Sequence, residues 1–237
     1  MTRPHLVRFN ELSPDTVNRD FQVHTVATDG EATIEQLICR AEELELKEMA
    51  FTEHVRRTSD YYTEFAAQVR TARAETPVKV YVGIESKVAD DRGTLDASQE
   101  VIEAAEIVLG SVHRFPVGNG GLAEAREFSY EEAAHREFTL ALGLLRHAPI
   151  DVLAHPGGMC QRAFGAFPDE LFEELMVVSL DRKIAIEINT SYCRDLDRFL
   201  SLCRKINPVV SIGSDAHQLS DLGTCRAALW ARGIGCP

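Results

Sequence analysis

Residues 20–30 have the sequence DFQVHTVATDG, and this stretch decides the interpretation of the rest of the chain. Apolar Phe21 and Val23 alternate with polar Gln22 and His24, a pattern typical of a short strand with one buried face. Residues two apart on a strand point to the same side, so Gln22 and His24 share a face. Asp29 follows in the next loop. The stretch therefore predicts part of a metal-binding cradle at the end of a strand.

The same arrangement recurs along the chain, because His or acidic residues stand where strand-length apolar runs stop. These residues are His24, Glu53, His54, Glu85, His113, His155, Asp215 and His217. Segments with helical spacing of apolar residues separate the runs, about seven times in all, which favours parallel strands joined by helical crossovers. We therefore predict an α/β fold, a (β/α) barrel in which residues 1–237 form a single domain and residues 1–19 an N-terminal extension.

The spacing places the individual elements as follows. After the first strand, strands are predicted at 48–52, 78–84, 107–112, 150–154, 184–188 and 209–213. Helices are predicted at 31–46, in the second half of 56–76, and at 129–145, 168–180, 195–205 and 222–232. Ser129 is the expected N-cap of the third of these helices. The glycine-rich residues 116–125 are interpreted as an irregular, mobile loop beside the site.

Composition limits the classes of protein that fit. Of the 237 residues, 45% are hydrophobic and 26% charged, as in an ordinary globular protein. No apolar run approaches the roughly 20 residues of a membrane span, and residues 1–8 lack the apolar core of a signal peptide, so we expect a cytoplasmic protein without membrane contacts. Six scattered cysteines without a Cys-x-x-Cys pair argue against disulfides and a thiolate zinc site. The net charge of −12 disfavours binding of long nucleic acids. The oligomeric state stays open.

The strand-end residues gain meaning as a group. In a (β/α) barrel, all carboxyl ends of the strands lie on one face, where active sites are built. Five of the eight histidines follow strands; the other three are His5, His135 and His147. Taken singly, Glu85 fits a solvated loop carboxylate and Asp215 a helix N-cap. Together on one face, these ionisable groups would repel one another without cations, so the pattern predicts bound metal.

The ordered motifs resemble the PHP (polymerase and histidinol phosphatase) superfamily over residues 20–225. The motifs are Gln22-x-His24, 25–30, Thr52-Glu53-His54, Gly83-Ile84-Glu85, Gly110-Ser111-Val112-His113, Ala154-His155-Pro156-Gly157, Glu187-Ile188-Asn189 and Gly213-Ser214-Asp215-Ala216-His217. The resemblance implies a distorted (β/α)7, TIM-like barrel with two to three divalent ions. Stand-alone members of this size are phosphoesterases, including histidinol-phosphate phosphatases.

The resemblance also implies a ligand set. The first ion would be held by Gln22, His24, Glu85 and Asp215; the second by the bridging Glu85 with His113 and His155; and the third by Asp29, His54 and His217. Nitrogen and oxygen donors without thiolate suit zinc, manganese or iron. Glu187, Asn189 and Glu53 are expected to support these ligands. Gln22 stands where the family usually has His, so we expect a first site that is weakened or tilted toward manganese or iron.

The activity implied is that of a phosphoric ester hydrolase acting on monoesters of a small phosphorylated metabolite. Two metals can lower the pKa of a bridging water and stabilise the charge on the phosphoryl oxygens. We expect Glu85, Asp215, His217 and Arg114 to be catalytic. The arginines that follow the motifs are predicted to bind the substrate phosphate, because guanidinium groups pair well with it: Arg56, Arg114 and Arg194.

Two alternatives remain open at this stage. The same metals could serve a phosphodiesterase acting on nucleotides or nucleic-acid ends. A non-catalytic, metal-stabilised scaffold is the other alternative, and Gln22 is the only feature that favours it. An amidohydrolase with a bridging lysine carbamate is disfavoured, since Lys87, the nearest lysine to a strand end, lies two residues past Glu85.

Overall fold

The computed structural model describes residues 3–117 and 120–236. The strands are β1 (Val7–Arg8), β2 (Arg19–Val23), β3 (Glu48–His54), β4 (Lys79–Lys87), β5 (Ile107–Ser111), β6 (Phe115–Val117), β7 (Gly121–Ala123), β8 (Val152–Leu153), β9 (Ala185–Asn189) and β10 (Val209–Gly213). The α-helices are α1 (Pro14–Val17), α2 (Ile34–Glu43), α3 (Tyr62–Ala72), α4 (Gln99–Ala104), α5 (Tyr130–His147), α6 (Gly158–Phe164), α7 (Asp169–Arg182), α8 (Leu196–Ile206) and α9 (Thr224–Trp230). Within the described ranges, no helix combines the length and the apolar character needed to cross a bilayer.

Eight strands form one sheet in the order β1-β10-β9-β8-β5-β4-β3-β2. All neighbours are parallel except β1, a strand from the predicted extension, which pairs antiparallel with β10. The sheet closes beyond β10, where the Ala216 N–H donates to the Gln22 carbonyl at 3.0 Å and the His24 N–H donates to the Ala216 carbonyl at 2.9 Å. The seven parallel strands therefore form the distorted (β/α)7 barrel that was predicted, and the fold prediction is confirmed.

Most predicted elements lie within a few residues of the observed ones. The strands predicted after the first one correspond to β3, β4, β5, β8, β9 and β10, and the predicted helices to α2, α3, α5, α7, α8 and α9. Ser129 is the N-cap of α5, where its hydroxyl accepts a hydrogen bond from the Glu132 N–H. Three helices were not predicted: α1, α4 and α6. They are four to seven residues long, so the helical spacing of apolar residues repeats too few times in them to indicate a helix.

The interpretation of residues 116–125 as an irregular loop is wrong for its described part. Residues Phe115–Val117 pair antiparallel with Gly121–Ala123 as β6 and β7. Gly118 and Asn119 lie outside the described residues. The dipeptide Asn119-Gly120 in the sequence is typical of hairpin turns, and this signal competes with the loop interpretation.

Apolar packing divides into an outer core, between the sheet and its helices, and an inner layer within the barrel. The inner layer consists of Phe21, Ala50, Tyr81, Ile107, Leu109, Val152, Ala154 and Ala185. Phe21 belongs to the inner layer and Val23 to the outer core, so the simple alternation expected for this strand is broken. The reason is a register shift between Asp20 and Val23 where β2 pairs with β3, since a bulge re-aims the side chains that follow it.

Candidate metal centre

Glu85, near the end of β4, is the point on which four imidazoles converge. Its Oε1 lies 2.9 Å from Nε2 of both His113 and His155. Its Oε2 lies 3.1 Å from His54 Nδ1 and 3.4 Å from His24 Nε2. The Glu85 side chain is fully buried, and each histidine follows or ends a different strand. The barrel thus brings together residues that are up to 131 positions apart in the chain, from His24 to His155.

Two further carboxylates complete the cluster. Asp215 Oδ1 lies 3.2 Å from His24 Nε2, and Asp29 bridges His54 Nε2 at 3.3 Å and His217 Nε2 at 3.4 Å. Donor atoms approach within 4.8 Å of one another in three groups: His24, Asp29, His54 and His217; His54, Glu85 and His113; and His24, Glu85 and Asp215. The groups overlap strongly with the three ligand sets that the sequence implied.

Backbone strain accompanies two of these residues. His155 has φ 29° and Asp215 has φ 51°, in the left-handed region that non-glycine residues rarely adopt. Such conformations persist when the surroundings impose them, and they concentrate at functional sites. The positive φ values of His155 and Asp215 therefore agree with a backbone conformation that is kept because of the direction it gives to these side chains.

The chemistry of the donors fits divalent cations. Burial alone would raise the pKa of Glu85, but the charge of His113 and the hydrogen bonds from the surrounding imidazoles hold that pKa well below its ordinary value. Burial alone would lower the pKa of His54, yet the hydrogen bond and charge of Glu85 raise it to about 9. His24 Nδ1 is buried without a hydrogen-bond partner among the described residues. These carboxylates require nearby positive charge, and nitrogen and oxygen donors without thiolate suit zinc, manganese or iron.

Residues on β9 hold the cluster from behind. Glu187 Oε2 accepts a hydrogen bond from the His155 N–H at 2.7 Å and from Asn189 Nδ2 at 3.2 Å. Burial, together with the charges of Asp215 and Glu85, raises the pKa of Glu187 well above its usual range. Gln22 is fully buried, and its Oε1 accepts a hydrogen bond from Asn189 Nδ2 at 2.8 Å. The ligand role implied for Gln22 stays a prediction.

Two buried carboxylates fix the loops that carry the predicted ligands. Glu53 accepts hydrogen bonds from the Thr25 N–H at 2.7 Å and from the Thr28 hydroxyl, so it holds the loop that ends in Asp29. Asp20 accepts hydrogen bonds from the Ser214 N–H at 2.9 Å and the Gly223 N–H at 2.8 Å. Burial raises the pKa of Asp20 to about 6. The sequence did not indicate this supporting role of Asp20, although Asp20 is the first residue of the stretch 20–30.

A cavity of about 540 Å³ opens above the cluster. Its lining residues are Asp29, His54, His113, Met159, Arg162, Ser191, Tyr192, Asp215, His217 and Asp221. The three arginines predicted to bind substrate are exposed and are not among them; Arg114 contacts Glu124 at 3.7 Å instead. Their binding role stays a prediction.

Arg162 is the arginine that lines this cavity. Its guanidinium carbon lies 4.1 Å from the centre of the Tyr192 ring, which stacks on His155 with ring centres 4.2 Å apart. Sequence reasoning missed Arg162 because it examined the residues next to each motif, whereas Arg162 lies on α6, a short helix that was not predicted. The signal that could have found it is a basic residue in the segment that follows a strand-end histidine, here seven positions after His155.

Comparison with known proteins agrees with this geometry. The sequence model of the PHP domain matches residues 20–191. A "Probable phosphatase" from Caldicellulosiruptor bescii is 26% identical over 216 residues, which cover 85% of this chain and 80% of the relative. A "Probable phosphatase" from Clostridium novyi is 25% identical over 219 residues, which cover 86% of this chain and 80% of the relative.

Two solved structures share the fold. A protein from Listeria monocytogenes, named as a candidate histidinol phosphatase, has a TM-score of 0.72 at 17% identity and covers 89% of this chain and 99% of its own. The histidinol phosphate phosphatase from Lactococcus lactis, solved with Zn, L-histidinol and phosphate, has a TM-score of 0.70 at 19% identity and covers 92% and 94%. The names of the sequence relatives support the predicted class of enzyme, a phosphatase. The chain, which the family model matches over most of its length, belongs to the PHP domain family.

Proposed function

We propose that the protein is a metal-dependent phosphatase that hydrolyses phosphate monoesters of a small metabolite, with two to three divalent ions at the centre. One observation carries this proposal: four imidazoles converge on the buried Glu85 within 3.4 Å of its oxygens. A buried carboxylate surrounded by imidazole nitrogens supplies the donors of a metal centre in which the carboxylate is a shared ligand.

The chain offers eight side chains, besides Gln22, to hold the ions. They are His24, Asp29, His54, Glu85, His113, His155, Asp215 and His217. Divalent ions bound there supply an activated water and neutralise charge on the phosphoryl oxygens. Zinc, manganese and iron all suit this mixture of donors.

The size of the cavity supports a small substrate. A volume of about 540 Å³ lies within the range of small-molecule sites and is too small for a folded macromolecule. Arg162 can donate paired hydrogen bonds to a phosphate group, and its stacking on Tyr192 restricts the orientation of the guanidinium plane. The relative solved with L-histidinol and phosphate gives one example of the class, a phosphorylated amino alcohol. We propose that the substrate is a small phosphate monoester of this kind.

A phosphatase screen tests the proposal. The purified chain, supplied in turn with Mn²⁺, Zn²⁺ and Fe²⁺, is assayed for phosphate release from a panel of monoesters and for cleavage of diesters. We expect turnover of monoesters, abolished by His113→Ala and kept by the matched control His147→Ala, at an exposed histidine at the end of α5 that does not line the cavity above the cluster. Cleavage of diesters alone, or no turnover by the folded, metal-loaded chain, would overturn the proposal.

A further inference from the structure

The side chain of Gln22 is held in one orientation by Asn189. Asn189 Oδ1 accepts hydrogen bonds from the backbone N–H groups of Ser191 at 2.9 Å and Tyr192 at 3.2 Å. The amide of Asn189 therefore cannot be turned over without losing both bonds. Its Nδ2, which carries only donor hydrogens, faces Glu187 Oε2 and the amide of Gln22.

The orientation of Asn189 determines which terminal atom of the Gln22 side chain is the oxygen and which is the nitrogen. Two N–H₂ groups cannot hydrogen-bond to each other, so the Gln22 atom that lies 2.8 Å from Asn189 Nδ2 is its oxygen. Its Nε2 is then the atom that remains, and it is buried without a hydrogen-bond partner among the described residues. A cation is repelled by an N–H₂ group, whereas an oxygen lone pair attracts that group.

The space around the Cβ of Gln22 is tightly filled. A side-chain carbon added at Gly213 would lie 2.9 Å from Gln22 Cβ and 2.0 Å from Glu187 Oε1. The two side chains therefore fill the volume beside Gly213 on β10. The same strand leads into Asp215, so Gln22 lies between the β9 support and the loop of a predicted ligand.

We propose that Gln22 is a hydrogen-bond donor to an oxygen bound at the centre and that it is not an ion ligand. This inference rests on the proposed metal centre. An ion bound by His24, Glu85 and Asp215 would take its remaining ligands from oxygen atoms of water or phosphate. The donor role replaces, in this proposal, the ligand role that the motif position implied.

A manganese titration tests the inference without measuring turnover. Mn²⁺ binding is followed by calorimetry and by metal analysis for the wild-type chain, Gln22→Met and the control His24→Leu. Methionine keeps the length of glutamine, and its thioether is a poor ligand for the hard Mn²⁺ ion. We expect Gln22→Met to keep the wild-type number of ions, with a Kd within about threefold, and His24→Leu to lose an ion or bind at least tenfold more weakly. Loss of an ion by folded Gln22→Met would overturn the inference.

Binding of inorganic phosphate to the manganese-loaded proteins identifies the oxygen. A Kd for phosphate raised about tenfold in Gln22→Met supports a hydrogen bond from Gln22 to a phosphate oxygen, and an unchanged Kd overturns the donor role. A crystal structure of the manganese-loaded wild type covers the case in which the variant does not fold. An ion at a ligand distance of about 2.2 Å from Gln22 Oε1 contradicts the inference, and a separation above about 3 Å supports it. These readouts stay interpretable if the chain proves inactive on every ester.

Discussion

At the scale of single residues, Glu85 is the carboxylate on which four of the predicted ligands converge. Four imidazoles lie within 3.4 Å of its two oxygens, and the charge of His113 together with the imidazole hydrogen bonds outweighs the burial that would otherwise raise the pKa of its carboxyl group. Glu85→Gln keeps the shape and removes the charge. We expect it to lose at least one bound ion and to lower kcat at least about 100-fold, because the shared anionic ligand is gone. Metal analysis and steady-state kinetics measure both effects. Full metal content in the folded variant would contradict the bridging role.

His54 gives the stability of the protein a defined dependence on pH when a chelator is present. Its folded pKa is about 9 against an ordinary value of 6.5, so between these pH values the folded chain binds more protons than the unfolded one. The stabilisation from His54 is complete below about pH 6.5 and is lost as pH rises through about 9.

Urea unfolding in EDTA at pH 6, 7.5 and 9.5 checks this expectation. Because other groups also titrate, the informative quantity is the free energy of unfolding of the wild type minus that of His54→Asn at each pH. We expect this difference to decrease steadily as pH rises. A difference that is constant or that increases would show that Glu85 does not favour the charged form of His54.

Arg162 is the residue for which the structure changes the expectation most. Arg162 is exposed like the three predicted arginines, but it lines the cavity, whereas Arg56, Arg114 and Arg194 do not. We expect Arg162→Ala to lower kcat/KM for phosphate monoesters about 100-fold, because a charge-assisted, bidentate contact with phosphate is lost. Arg126→Ala, at an exposed arginine that lies 3.5 Å from Glu124 and belongs to no predicted site, is the matched control. An equal loss of kcat/KM in the two variants would contradict the phosphate-binding role of Arg162.

At the scale of elements, α6 is attached to α5 by a buried carboxylate. Glu137 Oε1 accepts a hydrogen bond from the Met159 N–H at 3.0 Å, and its Oε2 accepts one from the Cys160 N–H at 2.7 Å. These N–H groups belong to the first turn of α6, which has no partners within its own helix for them. Glu137 thus fixes the start of the helix that carries Arg162.

Glu137→Gln tests this attachment. The amide can accept only one of the two hydrogen bonds and places an N–H₂ group against the other donor, so we expect a loss of about 1–3 kcal/mol in the free energy of unfolding. We also expect a higher KM with a smaller change in kcat, because Arg162 is displaced and the metal ligands are not. Glu131→Gln, at an exposed position of the same helix, should change stability by less than about 0.5 kcal/mol. A large effect of the control would assign the loss to α5 itself.

The sequence predicted the elements well where a strong local pattern exists. Strand-length apolar runs and helical spacing located β3, β4, β5, β9 and β10 and the helices α2, α3, α5, α7, α8 and α9, and the strand-end positions located the clustered histidines. The sequence could not show the bulge in β2 or the hydrogen bonds of Asp20, since each depends on contacts between residues far apart in the chain. Arg162 was missed because it lies on the short helix α6, which the apolar spacing did not indicate.

At the scale of the whole molecule, the barrel brings motifs that are far apart in the chain together in one cluster. The proposed ligands come from β3, β4 and the segments after β2, β5, β8 and β10, which spans residues 24 to 217 of the chain. Ions bound by these groups would connect strands around the barrel, and any ligand that binds only the folded state stabilises it. Metal binding and folding stability should therefore rise together in this protein.

The number of divalent ions per folded chain tests the central claim most directly. The protein is purified without chelators, equilibrated with Mn²⁺ or Zn²⁺, separated from free ions and measured by mass spectrometry of the metal, with melting temperatures before and after EDTA. We expect two to three ions per chain and a lower melting temperature after EDTA, because ions that bind only the folded chain stabilise it. Fewer than one ion per chain in folded protein, with the same melting temperature in EDTA, would contradict it.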